Sequence, residues 1–82
     1  MSLTACLLTR NDESTVARAV RSVAGVAKEV LVADTGSADR TTEVAAAAGA
    51  RVSSFTWDDD FAAGRNHLIE RATGDWILWR GA

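Results

Sequence analysis

Short apolar runs alternate along the chain with stretches in which apolar residues recur every three or four positions, the pattern of strands that feed helices. Leu3 to Thr9 reads as a strand. Asn11-Asp12-Glu13 follows it and offers a cap and acidic side chains suited to the positive end of a helix. Val16, Val20 and Val23 then recur at helical spacing, with Gly25 placed to end that helix. Glu29 to Ala33 is a second strand, and its successive apolar residues Val30, Leu31 and Val32 suit burial on both faces. Ser37 or Asp39 is placed to cap a second helix that runs through Val44 and an alanine run to Gly49. Arg51 to Phe55 reads as a third strand. Asp58-Asp59-Asp60 opens a third helix, with Phe61, Arg65, Leu68 and Ala72 on one face and Gly74 at its close, and Asp75 to Trp79 is a fourth strand.

The order β-α-β-α-β-α-β predicts an α/β fold in three layers, a parallel sheet covered by helices. Every strand-to-helix segment of such a sheet meets at one edge, where open α/β folds bind ligands. Those segments are Thr9-Arg10-Asn11, Asp34-Thr35-Gly36-Ser37, Thr56 to Asp60 and Arg80-Gly81-Ala82.

Composition narrows the field without changing that picture. The 82 residues carry nine basic and eleven acidic side chains spread along the whole chain, so no basic field of the kind that binds nucleic acid is present. The single cysteine, Cys6, cannot build a disulfide framework, and with His67 alone it cannot supply a zinc cluster. No apolar run approaches the length of a membrane span, and the N-terminus lacks the basic start and long apolar stretch of a signal peptide, which makes the cytoplasm the expected location.

Candidate chemistry concentrates at the predicted edge. Asp34 ends a buried strand, and Gly36 two residues later lets the backbone turn tightly or approach a ligand. The Asp34 carboxylate either accepts hydrogen bonds from a ligand N–H or hydroxyl, or joins Ser37 in tying the turn. Arg65 shares a helix face with apolar residues, so its guanidinium either pairs with a buried partner such as Asp34 or emerges at the edge to meet a phosphate. Asp58-Asp59-Asp60 invites a metal reading, but three acids ahead of a helix also suit its dipole and caps. His67 is expected near the polar side of its helix. There is no Gly-x-Gly-x-x-Gly after strand one and no Gly-x-x-x-x-Gly-Lys, which disfavours dinucleotide-binding and P-loop folds. A phospho-acceptor receiver domain needs a lysine at the edge, and Lys28 precedes strand two.

Five blocks, taken together, point to a family. Leu7-Leu8-Thr9-Arg10-Asn11-Asp12-Glu13, then Glu29 through Thr41, then Gly49-Ala50-Arg51-Val52, then Trp57 through Asn66, and finally Ala72 through Trp79 resemble in order and spacing the N-terminal half of family 2 glycosyltransferases of the GT-A fold. The resemblance implies binding of a nucleotide-diphosphate sugar, most simply a UDP sugar. It implies nucleoside contacts from Thr9, Arg10, Asn11 and Glu13, a base contact from Asp34 with Gly36 in the same loop, and a base or diphosphate contact from Arg65 with Asn66 beside it. Members of the family continue from the fourth strand into an Asp-x-Asp motif that holds Mg2+ or Mn2+ on the diphosphate; here Trp79 is followed by Arg80-Gly81-Ala82. Residues 1–82 are therefore expected to form a partial GT-A domain cut after the fourth strand, with no catalytic or metal residue assigned and no transfer activity alone. The alternative is a non-catalytic module that self-associates, or binds a partner, through an exposed fourth strand.

Overall fold

The computed structural model describes residues 2–55 and 61–81, so Trp57 and the Asp58-Asp59-Asp60 run lie outside the described residues. The elements follow in the expected order: β1 (Leu3–Thr9), α1 (Val16–Ala24), β2 (Glu29–Asp34), α2 (Thr41–Ala47), β3 (Arg51–Ser54), α3 (Phe61–Ile69) and β4 (Trp76–Gly81). The strands form one parallel sheet in the order β3-β2-β1-β4.

Alternate residues of the inner strands point to opposite layers, and both layers are apolar. On one face Ala5, Leu7, Val30 and Val32 pack against Val16, Val20 and Val23 of α1 and Ala45 of α2, all buried. On the other face Cys6, Leu31 and Ala33 pack against Leu68 of α3, with Leu8, Phe55, Ala72, Ile77 and Trp79 partly buried around them. Cys6 is a core residue, and burial first, then the charge of Glu29, pushes its thiol up to about 11. It stays un-ionised and unreactive at neutral pH.

Several element ends differ from the sequence expectation. α1 begins only at Val16, has no side-chain cap and has no acidic residue in its first turn. Asn11, Asp12 and Glu13 form a loop ahead of it instead, with Asn11 in the left-handed region at φ 53°. Gly25 does end α1 as expected, following Ala24 as its C-cap, though it stays right-handed at φ −73°. Gly49 does take the left-handed conformation (φ 108°), and the Gly49 and Ala50 amides donate back to the Ala46 and Ala45 carbonyls at 3.0 and 3.1 Å, closing α2 in a Schellman motif.

Gly74 does not close α3, which ends at Ile69. It lies against β1, where its amide donates to Thr4 Oγ1 at 2.9 Å. Glu29 Oε1 completes this lower edge by accepting from Thr4 Oγ1 (2.8 Å), the Thr73 amide (2.6 Å) and Thr73 Oγ1 (2.9 Å). These bonds, led by that of the Thr73 amide, hold the Glu29 carboxyl below its ordinary range. The lower edge thus fixes how the chain enters β4, and through β4 it fixes the far side of the upper edge.

A Cβ at Gly74 would lie 2.5 Å from Thr4 Oγ1 and 2.8 Å from the Thr4 amide nitrogen, whereas one at Gly64 would make ordinary contacts of 3.5–3.6 Å with Leu8 and Phe55. Gly74→Ala is therefore expected to cost about 1–3 kcal/mol through overpacking against backbone. Gly64→Ala, in a helix where alanine is the better helix former, is expected to be neutral or stabilising by up to about 1 kcal/mol. Urea unfolding of the two variants checks the pair, and equal effects would contradict the packing described.

Candidate functional site

Parallel pairing of β1 and β2 sets Thr9 directly opposite Asp34 at the upper edge of the sheet. Asp34 is only 6% exposed, and every hydrogen-bond partner of its carboxylate comes from its own surroundings. Oδ1 accepts from the Thr9 hydroxyl at 3.1 Å and from the Ser37 hydroxyl in a short contact. Oδ2 accepts from the Gly36 and Ser37 amides at 3.2 and 2.9 Å. Gly36, at φ 107°, supplies the backbone turn that aims both amides at one oxygen. Burial by itself would raise the Asp34 carboxyl, but the bonds from Ser37, Gly36 and Thr9 outweigh it and hold the group below the usual carboxylate range. The Thr35 amide and hydroxyl both donate to the Thr9 carbonyl at 2.9 Å, locking the two strand ends together.

The loops beyond these strand ends are stapled to each other. The Asn11 amide donates to Ser37 Oγ at 2.9 Å, and Asn11 Oδ1 accepts from the Ala38 amide at 2.8 Å. The Asp12 amide donates to Thr41 Oγ1 at 2.8 Å. The Glu13 amide donates to Asp39 Oδ2 at 3.2 Å, and Glu13 Oε1 accepts from the Arg40 amide at 2.9 Å. Asp39 Oδ1 takes the Thr41 amide at 3.0 Å and also the Thr41 hydroxyl, and these bonds hold the Asp39 carboxyl low. Asn11 and Glu13, expected as contact residues, thus shape the rim by joining the loops. Asp39 and Thr41 belong to the site for the same reason, although the sequence marks them only as helix-start residues.

Arg65 and Asn66 lie on α3 and both are exposed. The Arg65 guanidinium does not pair with Asp34; it stacks over the Trp79 ring of β4, 4.8 Å from the centroid. His67 also departs from expectation, since it faces β3 and is only partly exposed. Its Nε2 lies 3.0 Å from Ser53 Oγ and its ring centroid 5.1 Å from that of Phe55. Burial, followed by the nearby Arg71 charge, lowers its pKa.

Of the candidate residues, Thr9, Asn11, Glu13, Asp34 and Gly36 lie in one connected network, Arg10 is exposed at its rim, and Arg65 and Asn66 lie on the opposite layer. A cleft of about 390 Å³ lined by Lys28, Glu29, Val30, Gly49, Arg51 and Thr73 opens elsewhere, at the lower edge. Among the described residues no group of three or more His, Cys, Asp or Glu side chains is placed to hold a metal ion. None of the described helices is long and apolar enough to cross a membrane.

Removing the Asp34 carboxylate leaves four donors without their acceptor, so Asp34→Ala is expected to cost about 1–3 kcal/mol or more. The folded-state pKa of Asp34 is depressed, so its stabilisation is full above the ordinary carboxylate range near pH 4 and is lost as pH falls through and below that range. The stability gap between the wild type and Asp34→Asn, read from urea midpoints, should accordingly narrow between about pH 7 and about pH 3. A gap independent of pH would contradict an ionised, multiply bonded Asp34.

Comparison with known proteins gives a consistent result. Residues 4–82 match the sequence profile described as glycosyl transferase family 2. The chain is 45% identical over 73 residues to a TPR repeat-containing protein of Synechococcus elongatus, covering 89% of this chain and 18% of that protein. It is 32% identical over 72 residues to an uncharacterized glycosyltransferase of Rickettsia typhi, covering 88% of this chain and 24% of that protein. The chain thus spans about a quarter or less of these relatives. Among solved structures, it superposes on glucosyl-3-phosphoglycerate synthase from Mycobacterium tuberculosis, crystallised with Mn2+, UDP and glucosyl-3-phosphoglycerate, with a TM-score of 0.84 at 23% identity. That match covers 98% of this chain and 33% of the synthase, and it shows a shared GT-A fold. With the β3-β2-β1-β4 sheet and a profile match over nearly every residue, this chain belongs to glycosyl transferase family 2.

Proposed function

We propose that residues 1–82 form the nucleotide-binding part of a GT-A domain and take up the nucleoside diphosphate of a UDP-type sugar donor at the upper edge of the sheet. The observation that carries this reading is the rigid double loop built around Asp34, placed at the carboxyl ends of β1 and β2. The strand order reverses at β1, with β2 on one side and β4 on the other, and ligands of open α/β sheets bind at such a switch point. UDP bound with Mn2+ to the structurally similar mycobacterial synthase supports the same ligand class. Thr9, Arg10 and the Gly36 backbone form the nucleoside side in this reading. Asn11 and Glu13 hold that side in shape, and Asp34 fixes the loop and meets the base when a ligand N–H displaces one of the hydroxyls on Oδ1. Arg65 and Asn66 serve the diphosphate side.

A divalent metal in this family would neutralise the departing diphosphate. The described residues do not gather ligands for one. The 82 residues are accordingly proposed to bind nucleotide without transferring sugar by themselves. On titration with UDP, amide NMR signals of Thr9 to Asn11, Gly36, Ser37 and the Arg65 turn should shift at millimolar ligand, to the same extent with and without Mg2+. Unmoved signals would overturn the nucleotide reading, and sugar transfer from a UDP sugar by the purified chain would overturn the proposed lack of activity.

A second property is favoured by a separate observation. β4 is an edge strand, and its Trp76 is 59% exposed. Edge strands that carry large apolar side chains recruit other chains, so the chain is also proposed to self-associate through β4. Sedimentation equilibrium should show dimers or larger species that Trp76→Lys shifts toward monomer. A monomer at high concentration in the wild type would contradict it.

A further inference from the structure

We propose that Trp79 is a positioning residue that holds the Arg65 guanidinium on the β4 side of the α3 layer, from which its N–H fork reaches the phosphates of a bound nucleoside diphosphate. This inference rests on the nucleotide reading above and adds to it a residue and a division of labour. Arg65 projects from an α3 turn that lies over the sheet beside the edge, since Gly64 before it sits against Leu8 of β1 and Phe55 just beyond β3. Asp34 lies outside the layer of Arg65, since it alternates with Ala33, which packs on α3, and so belongs to the opposite sheet face with Val30 and Val32. The partner of Arg65 on its own layer is the indole of Trp79, at 4.8 Å.

That placement has two physical consequences. Arg65 and Asp34 stand on opposite faces of the sheet, so neither cancels the charge of the other. A cation–π contact also uses no hydrogen-bond acceptor, so it leaves the guanidinium N–H groups for phosphate oxygens, which they grip in pairs. The platform is firm. Trp79 is partly buried against the Cys6, Leu31, Ala33 and Leu68 cluster and is paired in register with Cys6 of β1. A side chain with no role beyond core packing would have no need of a cation over its face, and an exposed arginine without a platform would lose conformational freedom each time it bound.

The test compares UDP with uridine, which share the base and ribose but differ in the diphosphate. Affinities of both ligands for the wild type, Trp79→Leu, Trp79→Phe, Arg65→Gln and the Trp79→Leu/Arg65→Gln double variant are measured by calorimetry or NMR titration at low salt. The expected result is that Trp79→Leu weakens UDP about two- to five-fold, the scale of an exposed cation–π contact. Uridine affinity stays unchanged, Trp79→Phe restores most of the UDP affinity, and the double variant is no weaker for UDP than Arg65→Gln alone. Equal weakening of UDP and uridine by Trp79→Leu, or additive losses in the double variant, would show that Trp79 acts only through packing and would overturn the inference while leaving the nucleotide reading intact. A wild-type chain that binds neither ligand would overturn both. Trp79→Phe keeps the aromatic face and the core volume nearly filled, so the comparison holds even if Trp79→Leu is too unstable to measure.

Discussion

The upper edge of this domain depends on one buried carboxylate. Asp34 sits where a parallel strand ends, and a parallel strand end leaves backbone and side-chain donors that need an acceptor in a region water reaches poorly. By taking the Thr9 hydroxyl, the Ser37 hydroxyl and the Gly36 and Ser37 amides, Asp34 joins β1 to β2 and folds the loop that follows back over both. Every other contact of the rim builds on that turn. Ser37, once placed, accepts the Asn11 amide, and Asn11 in turn accepts from Ala38. The Glu13–Arg40 and Glu13–Asp39 bonds then extend the same seam toward the starts of both helices.

Such a seam gives the site its shape at the cost of freedom in the loops. Hydrogen-bonded loops lose less entropy when a ligand arrives, which is the advantage of preorganisation. It also determines which side chains are spent within the rim. Asn11 and Glu13 spend side-chain acceptors on neighbouring amides, so their part is to hold the rim in place, whereas Arg10 is exposed beside it. The cation stands apart, on the other layer and over β4, so a polar, well-tied rim lies on one face and a positive group on the other. A nucleoside diphosphate, with a hydrogen-bonding nucleoside and an anionic diphosphate, is complementary to that arrangement.

Element order and layer structure were legible because they rest on apolar periodicity, which is local and strong in Val16, Val20 and Val23 and in Val30 to Ala33. The rim was not legible in the same way. Asn11, Glu13, Ser37 and Asp39 stand beside helix starts, and a local reading makes them caps; their partners lie 26 or 27 residues away and come together only through the β1–β2 register. Gly74 was misread for a similar reason, since a glycine after a helix suggests a terminator until the strand it approaches is known. His67 looked polar-facing because its partners, Ser53 of β3 and the Phe55 ring, leave no mark in the spacing of α3 itself. The pairing of Arg65 with Trp79 rather than Asp34 likewise depends on which sheet face each residue takes, Trp79 facing α3 and Asp34 facing away from it. The family resemblance offered candidate residues by position, and the structure separates those tied into the rim, Asn11, Glu13 and Asp34, from exposed Arg10, Arg65 and Asn66.

The central claim is that the double loop is formed before any ligand arrives. Hydrogen exchange of the Ser37, Ala38 and Arg40 amides, followed with and without UDP, tests it most directly. The expected result is clear protection in the free protein, increased further by UDP around Gly36 and Ser37. Exchange of these amides at unprotected rates in the free protein would contradict it.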